Sequence, residues 1–167
     1  MKRPVLLLEK IAWSVATCGG LGTIPKMPGT CGALFGGLLW YFFFSHTSIT
    51  FKICLFLCFG SIGFWAIFRL LQQTDQKDPS YIVIDECLGQ WIALAWGPST
   101  IEATLSAFFL FRLFDIKKWG PIRAIDNLSK RSEVSLSLAT ACLIGDDLLA
   151  GICAGFCVKL LDFFSIF

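Results

Sequence analysis

Charge is what this sequence has least of. Only 16% of its 167 residues are Asp, Glu, Lys or Arg, against about 25% in a soluble domain. The apolar share is 56% and the mean hydropathy is +0.71. Both point to a chain that meets lipid, and one domain spanning 1–167 fits the length. The net charge is +2, and no run of Lys and Arg with interleaved aromatics is present, which excludes nucleic acid as a partner. Of eight cysteines, none forms a Cys-x-x-Cys pair, and no histidine cluster accompanies them. Zinc ligation is thereby excluded, and the cysteines are expected as small buried side chains in helices. An N-terminal signal peptide is not expected, because Glu9-Lys10 breaks the apolar stretch begun at Val5. Residues 4–17 are expected as an amphipathic helix on the membrane surface or on the bundle.

Long uncharged runs take the place of charge. None of the residues between Lys26 and Lys52, or between Lys52 and Arg69, carries a formal charge. Each run is near the length of about 20 residues that spans hydrocarbon. The polar tetrad Ser45–Ser48 between them predicts the turn of a helical hairpin. A third apolar region, Cys87–Ile101 with Ala103–Phe111, is broken at Gly97-Pro98 and by Glu102, and a fourth, Val134–Val158, is interrupted by Asp146-Asp147. Seventeen Phe and six Trp suit lipid and its interface. The fold expected is all-α, a multi-pass membrane helical bundle with a glycine/proline-rich loop near the N-terminus. Basic residues precede the first run, follow the second and crowd the segment after Phe111, whereas the turn at 45–51 has none. The positive-inside rule puts these segments, and the polar clusters beside them, on the cytoplasmic face.

Four polar clusters carry the chemistry. Gly20–Gly32 is dense in Gly and Pro and predicts a shaped loop, with Thr30 as N-cap of the following helix. Free N–H groups at such a start, around Pro28, Gly29 and Thr30, suit an anion. Asp85-Glu86 stands at the edge of an apolar helix, where acids are either favourable with the helix dipole or held by a cation. Arg112, Asp115 and Lys118 fall on one stripe if the helix ending in Phe111 continues, with Arg123 and Asp126 close behind. A planar Arg fork and a compact Lys charge beside a carboxylate suit a metal and a phosphate, or a basic segment touching anionic lipid. Asp146-Asp147 lies inside an apolar run and is a functional candidate by that placement. Hard carboxylate oxygens suit Mg2+.

Other phosphate-ester chemistries lack their residues. No Cys has an Arg six positions later, no Asp-x-Asp exists, and the single histidine, His46, falls in the predicted far turn. Attack by metal-activated water, or by a carboxylate, remains.

In this order the clusters resemble the phosphatidylglycerophosphatase A family. The resemblance rests on Gly20-x-Gly22 with Pro25-Lys26-x-Pro28-Gly29-Thr30-x-Gly32, on Ile84-Asp85-Glu86-x-x-Gly89, on Phe111-Arg112-x-x-Asp115-x-x-Lys118 with Pro121-Ile122-Arg123 and Asp126, and on Asp146-Asp147-x-x-Ala150-Gly151. The chain departs from the family at Lys118-Trp119-Gly120-Pro121, where a Pro usually follows the Lys. The resemblance implies a Mg2+-dependent hydrolase of the bacterial inner membrane that converts phosphatidylglycerophosphate to phosphatidylglycerol and phosphate. On that basis Asp85, Glu86, Asp146 and Asp147 are expected to hold Mg2+, with Asp115, Asp146 and Asp147 catalytic. Arg112, Lys118, Arg123 and the Pro28-Gly29-Thr30 turn are expected to bind phosphate. Two rivals belong to other classes: a small transporter or channel using the acids as an ion relay, and a scaffold binding anionic lipid. The pairs Gly32/Gly36 and Gly151/Gly155 would permit close helix packing, including between subunits.

Overall fold

A computed structural model describes residues 7–131, 133–164 and 166. Among them the regular structure is entirely helical: α1 (Leu7–Ala16), α2 (Pro28–Leu39), α3 (Ile49–Leu71), α4 (Ile84–Leu94), α5 (Ile101–Lys117), α6 (Pro121–Ser129) and α7 (Leu136–Phe163). A 3-10 turn at Leu21–Thr23 interrupts the glycine-rich loop, and a π-helical segment, Trp40–Phe44, extends α2. Residues 4–6 of the expected N-terminal helix lie outside the described residues.

Local chemistry sets the boundaries. Pro28 and Pro121 open α2 and α6 at a first-turn position, where the missing N–H costs nothing. The hydroxyls of Ser48, Thr100 and Ser135 accept from the backbone N–H groups of Phe51, Ala103 and Leu138, capping α3, α5 and α7. The chain breaks around Gly97-Pro98, between α4 and α5, as expected. Thr30 does not cap α2. The cap is Met27, in the left-handed region at φ 58°, and Thr30 lies within the first turn. Pro28 explains the shift, since its fixed φ starts the helix three residues earlier.

The turn at Ser45–Ser48 is present, but α2 and α3 do not form a packed hairpin. Helix α3 instead lies against α1, α4 and α7. Trp91 of α4 sits between Phe44 and Phe59, with ring centroids 5.3 Å from each. Its indole N–H donates to Gly36 O at 2.9 Å.

Helices α2 and α7 flank α4 and run in the same direction as it. A Cβ at Gly36 would stand 2.9 Å from Cys87 O, and one at Gly151 would stand 2.3 Å from Gly89 O. Both glycine pairs noted in the sequence make close contacts inside the chain: Gly36 and Gly151 against α4, Gly32 against Val83 just before it and Gly155 against Trp96 just after it. Parallel alignment brings the starts of α2 and α4 level with the middle of α7, while α5 returns antiparallel and ends at the same level.

Two helices, α3 and α7, are long and apolar enough to cross a membrane, and Pro28–Phe44 is a shorter apolar helix. Large apolar side chains cover the outside, among them Phe42, Leu57 and Phe109. Exposed apolar surface on that scale suits contact with lipid or with another apolar surface. Cys54 and Cys58 lie on this outer surface of α3, contrary to the expected burial, whereas Cys87 and Cys142 are buried, and all eight cysteines are free.

Candidate active site

Level with the starts of α2 and α4 lies a cavity of about 250 Å3. Its wall includes the cap residue Met27 with Pro28, Gly29 and Thr30 from α2, Asp85 and Glu86 from α4, Arg112 and Asp115 from α5, and Asp146 and Asp147 from α7. Lys118, Asp126, Ser129 and the loop residues Asp78 and Ser80 complete the polar lining. All four sequence clusters therefore meet in one place. Seven of the lining residues are acids and two are bases, so the wall is strongly negative.

Asp85, Glu86 and Asp147 form the tightest group. One carboxylate oxygen from each lies within 4.8 Å of the others. Asp85 and Asp147 are buried, and Glu86 Oε2 is enclosed with no hydrogen-bond partner. Repulsion reaches Asp147 from Asp115 and Asp85 as well as from Glu86 and Asp146. Buried acids held together in this way are costly unless a cation joins them. The donor set is all oxygen, which suits Mg2+. Gly29 makes room for the group: a Cβ there would lie 2.0 Å from Glu86 Oε1.

Asp146 is not in that group. Its Oδ2 accepts from Lys118 Nζ at 2.5 Å, and Lys118 also donates to Asp126 Oδ1 at 2.5 Å. Helix α5 ends at Lys117, and Lys118 turns away from it in the left-handed region at φ 47°. It therefore leaves the stripe expected from the sequence and reaches across to α6 and α7. Burial works against the Lys118 charge, but the hydrogen bonds to Asp126 and Asp146 outweigh it and raise the ammonium pKa above its ordinary value. Burial would likewise raise Asp126, yet bonds from Lys118 and Lys130 bring its carboxyl below the usual range. Lys130 donates to both Asp126 oxygens, at 2.8 and 2.9 Å, and lies 3.3 Å from Asp78.

Arg112 pairs with Asp115 on the last turns of α5. Its Nη1 would lie 3.2 Å from a Cβ at Gly29, which places the guanidinium against the first turn of α2. That turn has no side-chain cap, and its residues line the cavity. Its free N–H groups and positive dipole end favour an anion there.

Arg123 is not brought in. It lies on the exposed side of α6 and is not among the residues lining the cavity, because Ile122 and Asp126 take the buried positions of that helix. His46 is exposed in the turn between the π segment and α3. Asp78, Ser80 and Lys130 were not singled out by sequence. The signal open to such reasoning was the Asp78-Pro79-Ser80 step before α4, a turn-forming stretch with an acid.

Fold and site together define an all-helical protein whose acid-lined cavity suits a divalent cation and an anion. Comparison with known proteins makes the assignment particular. The family profile for phosphatidylglycerophosphatase A matches residues 14–162. A phosphatidylglycerophosphatase A of Haemophilus influenzae is 38% identical over 112 residues, covering 64% of this chain and 66% of that protein. The Escherichia coli protein of the same name is 31% identical over 118 residues, 68% of this chain and 67% of its own. A provisionally named phosphatidylinositol-3-phosphatase of Bacteroides thetaiotaomicron is 34% identical over 159 residues, 91% of each chain. No solved structure matches. The chain belongs to the phosphatidylglycerophosphatase A family and is a phosphatase.

Proposed function

We propose that this protein hydrolyses phosphatidylglycerophosphate to phosphatidylglycerol and phosphate, with Mg2+ held by Asp85, Glu86 and Asp147. The observation carrying the reading is the convergence of those three acids beside Arg112 and the open first turn of α2. Family membership supports the substrate. The relay alternative is not favoured, since a relay needs acids spread along a path and these gather at one level. The bundle would sit as a multi-pass protein in the bacterial inner membrane. Lys117, Lys118, Lys130 and Arg131 lie on the site's side, so the positive-inside rule turns the cavity to the cytoplasm.

When bound, Mg2+ supplies charge neutralisation at the phosphate oxygens and a lower pKa for an attacking water. The chain's own residues do the rest. Arg112 holds two phosphate oxygens with its planar fork. The N–H groups of Gly29 and Thr30 add contacts at the helix start. Asp115 takes a proton from water as its oxygen bonds to phosphorus. The bond from phosphorus to the glycerol oxygen breaks, and that proton ends on the leaving oxygen. Lys118 holds Asp146 and Asp126 apart from the cation group. The acyl chains stay in the bilayer while the headgroup enters the cavity.

The relative spanning 91% of the chain favours a second substrate, a phosphoinositide. Mixed micelles containing equal amounts of phosphatidylglycerophosphate and phosphatidylinositol 3-phosphate, with Mg2+, distinguish the two. Phosphatidylglycerol accumulating first is the expected result. Phosphatidylinositol accumulating first would overturn the substrate assignment and leave the phosphatase intact.

A further inference from the structure

Gln90 is 0% exposed, and neither its amide nitrogen nor its amide oxygen has a hydrogen-bond partner. Deep in an apolar bundle such a group is costly, of the order of 1–3 kcal/mol, and an apolar side chain of the same shape would serve packing better. Gln90 lies one helical turn beyond Glu86 on α4, and both face α2. The Gln90 Cγ is 3.9 Å from where a Gly37 Cβ would stand, and Glu86 meets Gly29. Side chains on a helix lean back toward its N-terminus, so the Gln90 amide leans over the turn that carries Glu86. Glu86 Oε2 is itself enclosed and unpartnered, as are Thr30 Oγ1 and Arg112 Nε nearby. The donors and the acceptor are complementary.

We propose that Gln90 is a positioning residue: its amide N–H holds the carboxylate of Glu86 through one buried water, and so fixes that carboxylate toward Asp85 and Asp147. This rests on the cation-binding role proposed for the three acids. Partners that orient a metal ligand typically contribute about 10–100-fold to metal affinity. The volume-conserving change Gln90→Met removes the hydrogen bonds and keeps the packing.

The test is Mn2+ binding to purified protein without substrate, followed by electron paramagnetic resonance. Q90M is expected to weaken Mn2+ binding at least about tenfold, with melting of the metal-free protein unchanged or raised. In a Glu86→Gln background the same change should have no further effect. Equal weakening in both backgrounds, or none in either, overturns the proposal. A wild type that binds no Mn2+ would instead remove the metal reading beneath it. Should Q90M not fold, the wild type still decides. The other three glutamines, Gln72, Gln73 and Gln76, are exposed. One solvent-protected side-chain amide pair in 15N-glutamine-labelled protein should therefore move on adding Mg2+. A protected pair that does not move overturns the proposal.

Discussion

Lys118 Nζ lies 2.5 Å from Asp146 Oδ2, 28 residues further along the chain. This bond separates the two acids of the α7 pair: Asp147 faces Asp85 and Glu86, while Asp146 is tied to a fixed cation. Adjacent acids in one motif thus have different work. Changing Lys118 to Met should leave Asp126 and Asp146 facing each other without their shared partner. Stability should fall by roughly 1–3 kcal/mol, read by thermal unfolding in detergent. Adding Asp146→Asn should restore part of the loss.

Asp147→Asn keeps the shape of the side chain and removes its charge from the acid group. Turnover should fall more than about 100-fold, beyond the range of an outer partner, while melting stays near that of the parent or rises. The check is phosphate release at saturating lipid beside a melting curve. Activity within a few fold of the parent would remove Asp147 from the mechanism.

Arg112→Lys retains a positive charge and loses the planar fork. We expect kcat/KM to drop by about tenfold or more, equivalent to ~1.4 kcal/mol of transition-state binding. A steady-state comparison against Arg123→Lys provides the control, since Arg123 lies outside the cavity and its variant should match the parent.

Glycines separate by what a methyl group would meet. At Gly29 it would fall 2.0 Å from Glu86 Oε1, whereas at Gly60 it meets nothing within 4 Å. Gly29→Ala should therefore displace Glu86 and abolish most activity. Gly60→Ala should be silent in activity and neutral or slightly stabilising, because Ala favours the helix by about 0.8–1.0 kcal/mol. Parallel assays and melts of the two variants test the contrast.

The pair formed by Asp126 and Lys130 gives a pH dependence of stability. Asp126 is depressed in the folded protein, so its contribution is complete above its unfolded value and is lost as pH falls through the lower folded one. Lys130 is raised, as its bonds to Asp126 and the charge of Asp78 outweigh burial. Its contribution is complete below its unfolded value and disappears as pH rises through the higher folded one. Melting temperature should thus hold across neutral pH and decline at both ends. Asp126→Asn should flatten both declines.

Much of this site was legible because the carrying residues break a strong pattern. Asp85, Glu86, Asp146 and Asp147 interrupt apolar runs, and such interruptions need a physical reason. The turn at Ser45–Ser48 and the break near Gly97-Pro98 were legible from polarity and proline chemistry. Other features depend on long-range placement. Nothing local says that Lys118 adopts a left-handed conformation and reaches α6 and α7. Arg123 stands beside Asp126 in the motif, yet helix phase turns one outward and the other in. Gln90 reads as an ordinary polar residue until packing encloses it. The spacing of Gly32/Gly36 and Gly151/Gly155 announced close approach but not the partner, which is α4 with its flanking residues Val83 and Trp96.

On the reading proposed above, Asp85, Glu86 and Asp147 hold a divalent cation needed for lipid phosphate hydrolysis. Phosphate release from phosphatidylglycerophosphate in detergent micelles, with Mg2+ and again with EDTA, tests it most directly. The account predicts release with Mg2+, none with EDTA, and recovery when Mg2+ is added back. Equal release in EDTA from folded protein would contradict it.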